Sequence, residues 1–254
     1  MIIAQISDTH LIVDGPGSDR RIADFRSVVA DINTLDPAPD VIVHTGDIAH
    51  NGLPAEYAAA AQILGDARAP VYVMAGNKDN RRSLRTVFSG KGYLPQNADF
   101  IAYAVDDFPV RLLILDTVNP GSKKGDFCAA RFAQLDDLAA RDRSKPAVVF
   151  MHHPPFEVLV GPERHHFDDL ELMERLATAI DGSGQVVGVI CGHVHRGTSG
   201  VVGTVPAVVM PSVATELRYG DYPDDIKQAP IYFVHRFDQR HGFSTETHIA
   251  GDRR

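Results

Sequence analysis

No segment of this 254-residue chain approaches the ~20 consecutive apolar residues that a membrane-spanning helix needs, which argues against a place within a bilayer. Cysteine is scarce: Cys128 and Cys191 form no spaced motif, so a thiolate metal site is not expected. Cys191, inside an apolar run, reads as a reduced and buried thiol. Positive charge is also short. Lys and Arg total 25 against 33 Asp and Glu, a formal net charge of -8, and nucleic acid as a general partner demands the opposite balance. A metal centre would still attract a phosphate locally. The chain has no internal repeat, biased tract or linker, so one domain over residues 1–254 is the simplest organisation. Its start lacks the basic segment and long apolar stretch of a signal peptide, which points to the cytoplasm.

What the chain does have is short apolar runs alternating with longer amphipathic segments, the pattern of an α/β protein. Residues 1–6, 40–44, 70–74, 147–151 and 186–190 read as buried strands, and residues 21–35, 54–67, 80–89, 130–141 and 169–180 as helices. Pro54 suits a first helical turn. Three further pairs read as hairpins: 100–105 with 110–116, 198–202 with 205–210, and 231–236 with 242–248, the last joined through residues 238–241. Crossover helices and hairpins together are accommodated by two packed mixed sheets flanked by helices, or by one large sheet.

Polar clusters follow several of the apolar runs: S-D-T-H with Asp8 and His10, T-G-D with Asp47, G-N-K-D with Asn77, M-H-H-P-P with His152, and C-G-H-V-H with His193 and His195. Ligands in α/β sheets gather at such carboxyl ends of strands. Any one triplet is commonplace, since D-x-H is usually a turn or helix cap. Two histidines on a Gly-led turn, joined by His152, Asp8 and His10 from other strand ends, together make a metal site. The donors are oxygen and nitrogen throughout, suited to manganese, iron or zinc rather than to a thiolate-seeking ion.

The order D-x-H, G-D, G-N, H, G-H-x-H from Asp8 to His195 resembles the calcineurin-like metallophosphoesterases, and the S-D-T-H and H-H-P-P segments look most like the class III cyclic nucleotide phosphodiesterases and bacterial glycerophosphodiesterases. The resemblance implies a four-layer α/β/β/α sandwich. It also implies two divalent or mixed-valent transition metal ions, one held by Asp8, His10, Asp47 and His195, the other by Asp47, Asn77, His152 and His193, with Asp47 as the bridge. Such a pair polarises phosphoryl oxygens and lowers the pKa of a bridging water until hydroxide is available near neutral pH. His153 would support the ligands or simply pack. The implied reaction is hydrolysis of a small phosphodiester. A phosphomonoesterase, or a phosphate-ligand binding protein with weakened catalysis, are the alternatives. Relatives of this kind often form homo-oligomers, although no heptad pattern demands one here.

One position departs from the family pattern. Where the family places a histidine after the metal-binding Asn, this chain has Lys78. Lysine keeps the positive charge but ordinarily titrates near ~10.4, far from histidine. With Asn77 it is the candidate catalytic pair: Lys78 would stabilise charge on the transferring phosphoryl group, and Asp79 would orient or neutralise its amine. His50 is an alternative proton donor or a surface histidine. Residues 161–167 and 215–219 read as lid segments, with Arg164 and Arg218 as candidates for a second phosphate or a base, or as exposed loop cations.

Overall fold

Strands with nearly continuous apolar character, such as Val41-Ile42-Val43 and Ala147-Val148-Val149-Phe150-Met151, are covered on both faces, as parallel strands under crossover helices must be. In the computed structural model, the described residues are 1–160, 163–167, 169–238 and 242–251, with 163, 164 and 225 described by backbone alone. In chain order the elements are β1 (Ile2–Ile6), α1 (Ser18–Ile32), β2 (Val41–His44), α2 (Pro54–Gly65), β3 (Val71–Val73), α3 (Arg81–Phe88), β4 (Tyr103–Val105) and β5 (Arg111–Leu115). There follow α4 (Ala129–Ala140), β6 (Ala147–Met151), β7 (Leu159–Val160), β8 (Glu163–Arg164), α5 (Leu170–Ser183) and β9 (Val186–Cys191). The chain finishes with β10 (Thr198–Val202), β11 (Val205–Val209), α6 (Asp224–Lys227), β12 (Ile231–Asp238) and β13 (Gly242–Ile249).

One sheet runs β13-β12-β1-β2-β3 and the other β10-β11-β9-β6-β5-β4, while β7 and β8 form a small ribbon. Both sheets are mixed: the first is parallel across β1, β2 and β3 and antiparallel from β1 through β12 to β13, and the second has a parallel centre with antiparallel edges. The pleat of β5 and β6 separates two cores. Leu112, Ile114, Val148 and Phe150 pack towards Ile3, Ile42 and the first sheet, whereas Leu113, Leu115, Val149 and Met151 pack towards Leu135 and Leu138 of α4 and Leu176 and Ile180 of α5. With α1, α2 and α3 packed on the first sheet, the order of layers is α/β/β/α, as the family resemblance implies.

Several element ends differ from their predicted places for visible reasons. Asn80 and Asp169 precede α3 and α5 as caps, their side chains accepting from Ser83 N at 3.0 Å and Leu172 N at 3.1 Å. β4 omits residues 100–102 because the Ile101 amide donates to the Asp116 carboxylate, at 2.8 Å, instead of to a ladder. The β7–β8 ribbon and α6 are too short to carry a periodic signal. Residues 239–241 of the expected last turn lie outside the described residues. Among the described residues no helix is long and apolar enough to cross a membrane.

Ile114 is fully buried between the two sheets. Ile114→Ala should therefore lower unfolding free energy by about 2–5 kcal/mol, read as a shift of the urea midpoint at unchanged slope; a shift under ~1 kcal/mol would mean that the intersheet core is not the principal one.

Candidate metal centre

Asp8 and His10 follow β1, Asp47 follows β2, Asn77 and Lys78 follow β3, His152 follows β6, and His193 and His195 follow β9. The first three strands are parallel neighbours in one sheet, and β6 and β9 are parallel neighbours in the other, so their carboxyl ends open on a common place. Buried polar bonds tie the two sheets together there. Gln5 Nε2 donates to Thr45 Oγ1 and to the Cys191 carbonyl, both at 2.9 Å, and Thr45 Oγ1 donates to Ser7 Oγ at 2.7 Å.

The loops that leave these strands are strained. Asp8, His10, Asp47, His193 and His195 have φ of 53°, 43°, 52°, 74° and 58°, and they are all the left-handed non-glycine residues among those described. Such a backbone persists only where surrounding contacts hold it, and it clusters at functional sites. Two glycines make the turns possible by having no side chain. A Cβ on Gly76 would lie 2.2 Å from Asp47 Oδ1, and one on Gly192 would lie 2.1 Å from Ser7 Oγ.

The donor atoms form two groups that share Asp47. On one side His10 Nε2 and His195 Nε2 lie 3.0 Å apart, with Asp8 Oδ1 3.3 Å from His195 Nε2 and Asp47 Oδ2 3.5 Å from His10 Nε2. The selected donor atoms of Asp8, His10, Asp47 and His195 all fall within 4.8 Å of one another. On the other side Asn77 Oδ1 lies 3.2 Å from His152 Nε2 and 2.9 Å from His193 Nδ1, and Asp47 Oδ1 lies 3.5 Å from His152 Nε2. His153, expected as a supporting or packed residue, is close enough to join: with His152 and His193 it makes a second group within 4.8 Å. Its Nδ1 is 2.8 Å from Thr117 Oγ1.

The outer contacts suit metal-binding histidines. His152 Nδ1 lies 2.8 Å from the Thr45 carbonyl and His195 Nδ1 lies 2.9 Å from the Leu217 carbonyl; a proton donated there leaves each Nε2 lone pair facing the centre. Asp8 Oδ2 accepts from Ser7 Oγ and from His193 N, while Asp8 Oδ1, fully buried, has no hydrogen-bond partner. An anionic oxygen without a donor in the interior is costly unless a cation meets it. The donor set and this orphaned oxygen therefore fit bound cations.

Charge is distributed accordingly. Burial opposes ionisation of Asp47, but the neighbouring His152 outweighs it and holds the carboxyl at about 2. Burial likewise opposes protonation of His152, yet the Asp47 carboxylate raises it to about 9. His193, half-buried beside His153 and His152, is driven well below its ordinary value by desolvation first and by those neighbours second. Burial, with Asp47 nearby, pushes Asp79 up to about 7 against the backbone amides that bind it.

The expected role of Asp79 needs correction. Its carboxylate accepts from Ile48 N, Ala49 N, Gly76 N and Tyr57 Oη, clasping the Asp47 loop to the Asn77 loop, and it makes no bond to the Lys78 amine among the described contacts. The Lys78 amide donates to Asp47 Oδ1 at 2.8 Å, and its side chain lines a cavity of about 420 Å³ over the centre. His50 packs edge-on to His10, with ring centroids 5.5 Å apart, and is not among the residues lining that cavity. Arg218 is neither an exposed cation nor aimed at a ligand: it donates to the carbonyls of Ser212, Ile226 and Ala229 and closes its own loop. Residues 161 and 162 and the side chain of Arg164 lie outside the described residues. His165 and Tyr219, within the two expected lid segments, do line the cavity, as do Lys123 and Lys124, which the sequence does not mark out. A Lys-Lys pair between Gly121 and Gly125 is the signal that was available.

A site of this kind at the strand ends of an α/β/β/α sandwich defines a metal-dependent phosphoesterase, and residues 1–197 match the calcineurin-like phosphoesterase family, to which the chain belongs. Two relatives give its neighbourhood. A probable glycerophosphodiester phosphodiesterase GpdQ of Arcobacter nitrofigilis is 29% identical over 99% of this chain and 94% of its own length. A cAMP/cGMP dual specificity phosphodiesterase of Mycobacterium tuberculosis is 30% identical over 82% of this chain and 66% of its own. The solved structure of an archaeal phosphodiesterase has the same fold, with a TM-score of 0.51 at 15% identity over 98% of this chain and 99% of that one.

Because the missing Cβ of Gly76 leaves room for Asp47, Gly76→Ala should weaken binding of divalent cations by at least ~10-fold in calorimetric titration. Gly65→Ala at the end of α2, where a Cβ meets nothing within 4 Å, serves as the control and should bind as the parent does.

Proposed function

We propose that this protein is a phosphodiesterase of the cytoplasm that hydrolyses small diesters of the glycerophosphodiester or cyclic nucleotide type. The reading takes the chain as one domain using two transition metal ions drawn from manganese, iron and zinc. Asp8, His10, Asp47 and His195 would hold one ion, and Asp47, Asn77, His152 and His193 the other. The single observation that supports it is the division of Asp47, whose Oδ2 faces His10 and whose Oδ1 faces His152, each at 3.5 Å. When bound, such ions supply Lewis acidity towards the phosphoryl oxygens and make a water nucleophilic near neutral pH.

The chain's own contribution is placement. The Lys78 amide fixes the Asp47 carboxylate, and the Thr45 and Leu217 carbonyls fix the rings of His152 and His195. Lys78, on the cavity wall, brings a positive charge to the scissile phosphate and its leaving group. No side-chain nucleophile is required. The decisive experiment is turnover, after metal reconstitution, of a diester and a monoester of the same phenol; a preference for the monoester would reassign the reaction class.

Elemental analysis of the reconstituted protein should find close to ~2 ions per chain, and Asp47→Asn, which removes charge from the shared ligand, should reduce this to about one or fewer with a large loss of activity. Full occupancy and full rate in that variant would refute the shared ligand. His152, protonated below about 9 without metal, must lose its proton to coordinate. Metal uptake at pH 7 should therefore release a proton, and affinity should rise with pH until about 9 and flatten above it. Calorimetry in buffers of differing ionisation enthalpy reads that proton directly, and its absence would place His152 outside the ligand set.

Lys78 should matter most where the leaving group needs help. Acid assistance is worth ~10²–10⁴-fold for an alkoxide and little for a nitrophenolate. Lys78→His should thus raise turnover of alkyl diesters more than that of bis(p-nitrophenyl) phosphate, and Lys78→Ala should lower both. Equal rates for all three forms on both substrates would remove Lys78 from the reaction.

A further inference from the structure

A line of hydrogen-bonded side chains crosses one face of the first sheet and ends on Asp8. Thr245 of β13 stands directly opposite His235 of β12, and His235 stands opposite Ile3 of β1, so both share the face on which Gln5 lies two residues further along β1. His235, Gln5, Thr45, Ser7 and Asp8 are all fully buried. Thr245 Oγ1 is 2.8 Å from His235 Nδ1, and His235 Nε2 is 3.0 Å from Gln5 Oε1. Gln5 Nε2 lies 2.9 Å from Thr45 Oγ1, Thr45 Oγ1 lies 2.7 Å from Ser7 Oγ, and Ser7 Oγ lies 2.5 Å from Asp8 Oδ2.

The direction of every link is fixed. Asp8 Oδ2 also accepts from the His193 amide at 3.0 Å, which makes it an acceptor and Ser7 its donor. A hydroxyl has one proton, so Ser7 has none left for Thr45, and Thr45 donates to Ser7 rather than to the Ile6 carbonyl 3.4 Å away. Thr45 then has only lone pairs for Gln5, which meets them with Nε2. The Cys191 carbonyl, 2.9 Å from the same nitrogen, sets the amide the same way independently. Gln5 Oε1 therefore faces His235 Nε2, which must carry the ring proton. Burial holds the pKa of His235 down at about 3, so the ring is neutral and its Nδ1 accepts from the Thr245 hydroxyl. Phe243 stacks on the ring with centroids 5.3 Å apart, and Phe233 meets it edge-on.

Redirecting one proton in such a line redirects those that follow, and each alternative leaves a buried group unpaired. What the line holds is the Asp8 carboxylate. Its Oδ2 is taken by Ser7 and the His193 amide, which leaves Oδ1 without a donor, 3.3 Å from His195 Nε2. Resting on the reading of Asp8 as a cation ligand, we propose that His235 is a positioning residue of the metal centre, acting from the neighbouring strand through Gln5, Thr45 and Ser7 to keep Asp8 Oδ1 for the cation.

The test reads both ends of the line in full-length protein. His235→Phe keeps a flat ring beside Phe243 but offers Gln5 no donor, whereas His235→Gln supplies an amide nitrogen in place of Nε2. In calorimetric titration with manganese, His235→Phe should weaken binding by about tenfold, the lower end of what losing a ligand's supporting partner costs, and His235→Gln should stay within about twofold of the parent. Ser7→Ala breaks the line beside Asp8, and in that background His235→Phe should change affinity by less than about twofold. A merely structural role for His235 predicts equal losses in both backgrounds. Where His235→Phe does not fold, Thr245→Val at the half-buried end carries the same comparison, with an expected loss of about threefold. Nitrogen NMR of the metal-free protein gives a readout independent of cations: His235 should be a neutral ring protonated at Nε2, and Ser7→Ala should move that resonance although Ser7 does not touch the ring. Unchanged manganese affinity, additive losses in the two backgrounds, or a ring protonated at Nδ1 overturns the positioning role alone. Failure of the parent to bind manganese overturns the cation reading of Asp8, and the positioning role with it.

Discussion

Everything about this molecule's working end turns on one carboxylate, Asp47, buried where two sheets meet and divided between two groups of imidazoles. A carboxylate in that position is tolerable only because positive charge is near it: His152 holds it ionised, and it in turn holds His152 protonated. The backbone around it is left-handed, Gly76 leaves it room, and the Lys78 amide fixes one of its oxygens. Remove the carboxylate and the two halves of the site lose their common member.

The strained loops are supported from behind. Asp79 is the clearest case, a buried acid that binds backbone amides from two loops and the Tyr57 hydroxyl, and so keeps the segment after β2 in register with the segment after β3. Arg218 does the same for the loop that presents the Leu217 carbonyl to His195. Charged side chains that a linear reading assigns to the Lys78 amine, to substrate or to the exposed surface are thereby occupied in holding the histidines and carboxylates still.

That contrast explains what is legible in the sequence. The strands β1, β2, β6 and β9 are readable because burial on both faces makes them almost wholly apolar, and most of the candidate ligands are readable because they sit just after those strands. The layered architecture follows from crossover helices mixed with hairpins, and the family pattern settles between one sheet and two. The partners of Asp79 and Arg218 are not readable, since they are backbone groups brought close only by the fold. Nor are Lys123 and Lys124, on a loop without periodicity whose position depends on Gly125 fitting against His153 and Phe167. Asn80 and Asp169 show a smaller version of the same limit: each belongs to its helix by hydrogen bond but not by backbone conformation.

The uneven placement of lysine also governs how the protein can be handled. Half of its six lysine amines open on one cavity, and the terminal amine of Met1 is bonded to the Phe237 carbonyl. Dyes, biotin or resins coupled through amines will therefore gather over the mouth of the site and block it, whereas the exposed thiol of Cys128, at the start of α4, offers a single attachment point that is not among the residues lining that cavity.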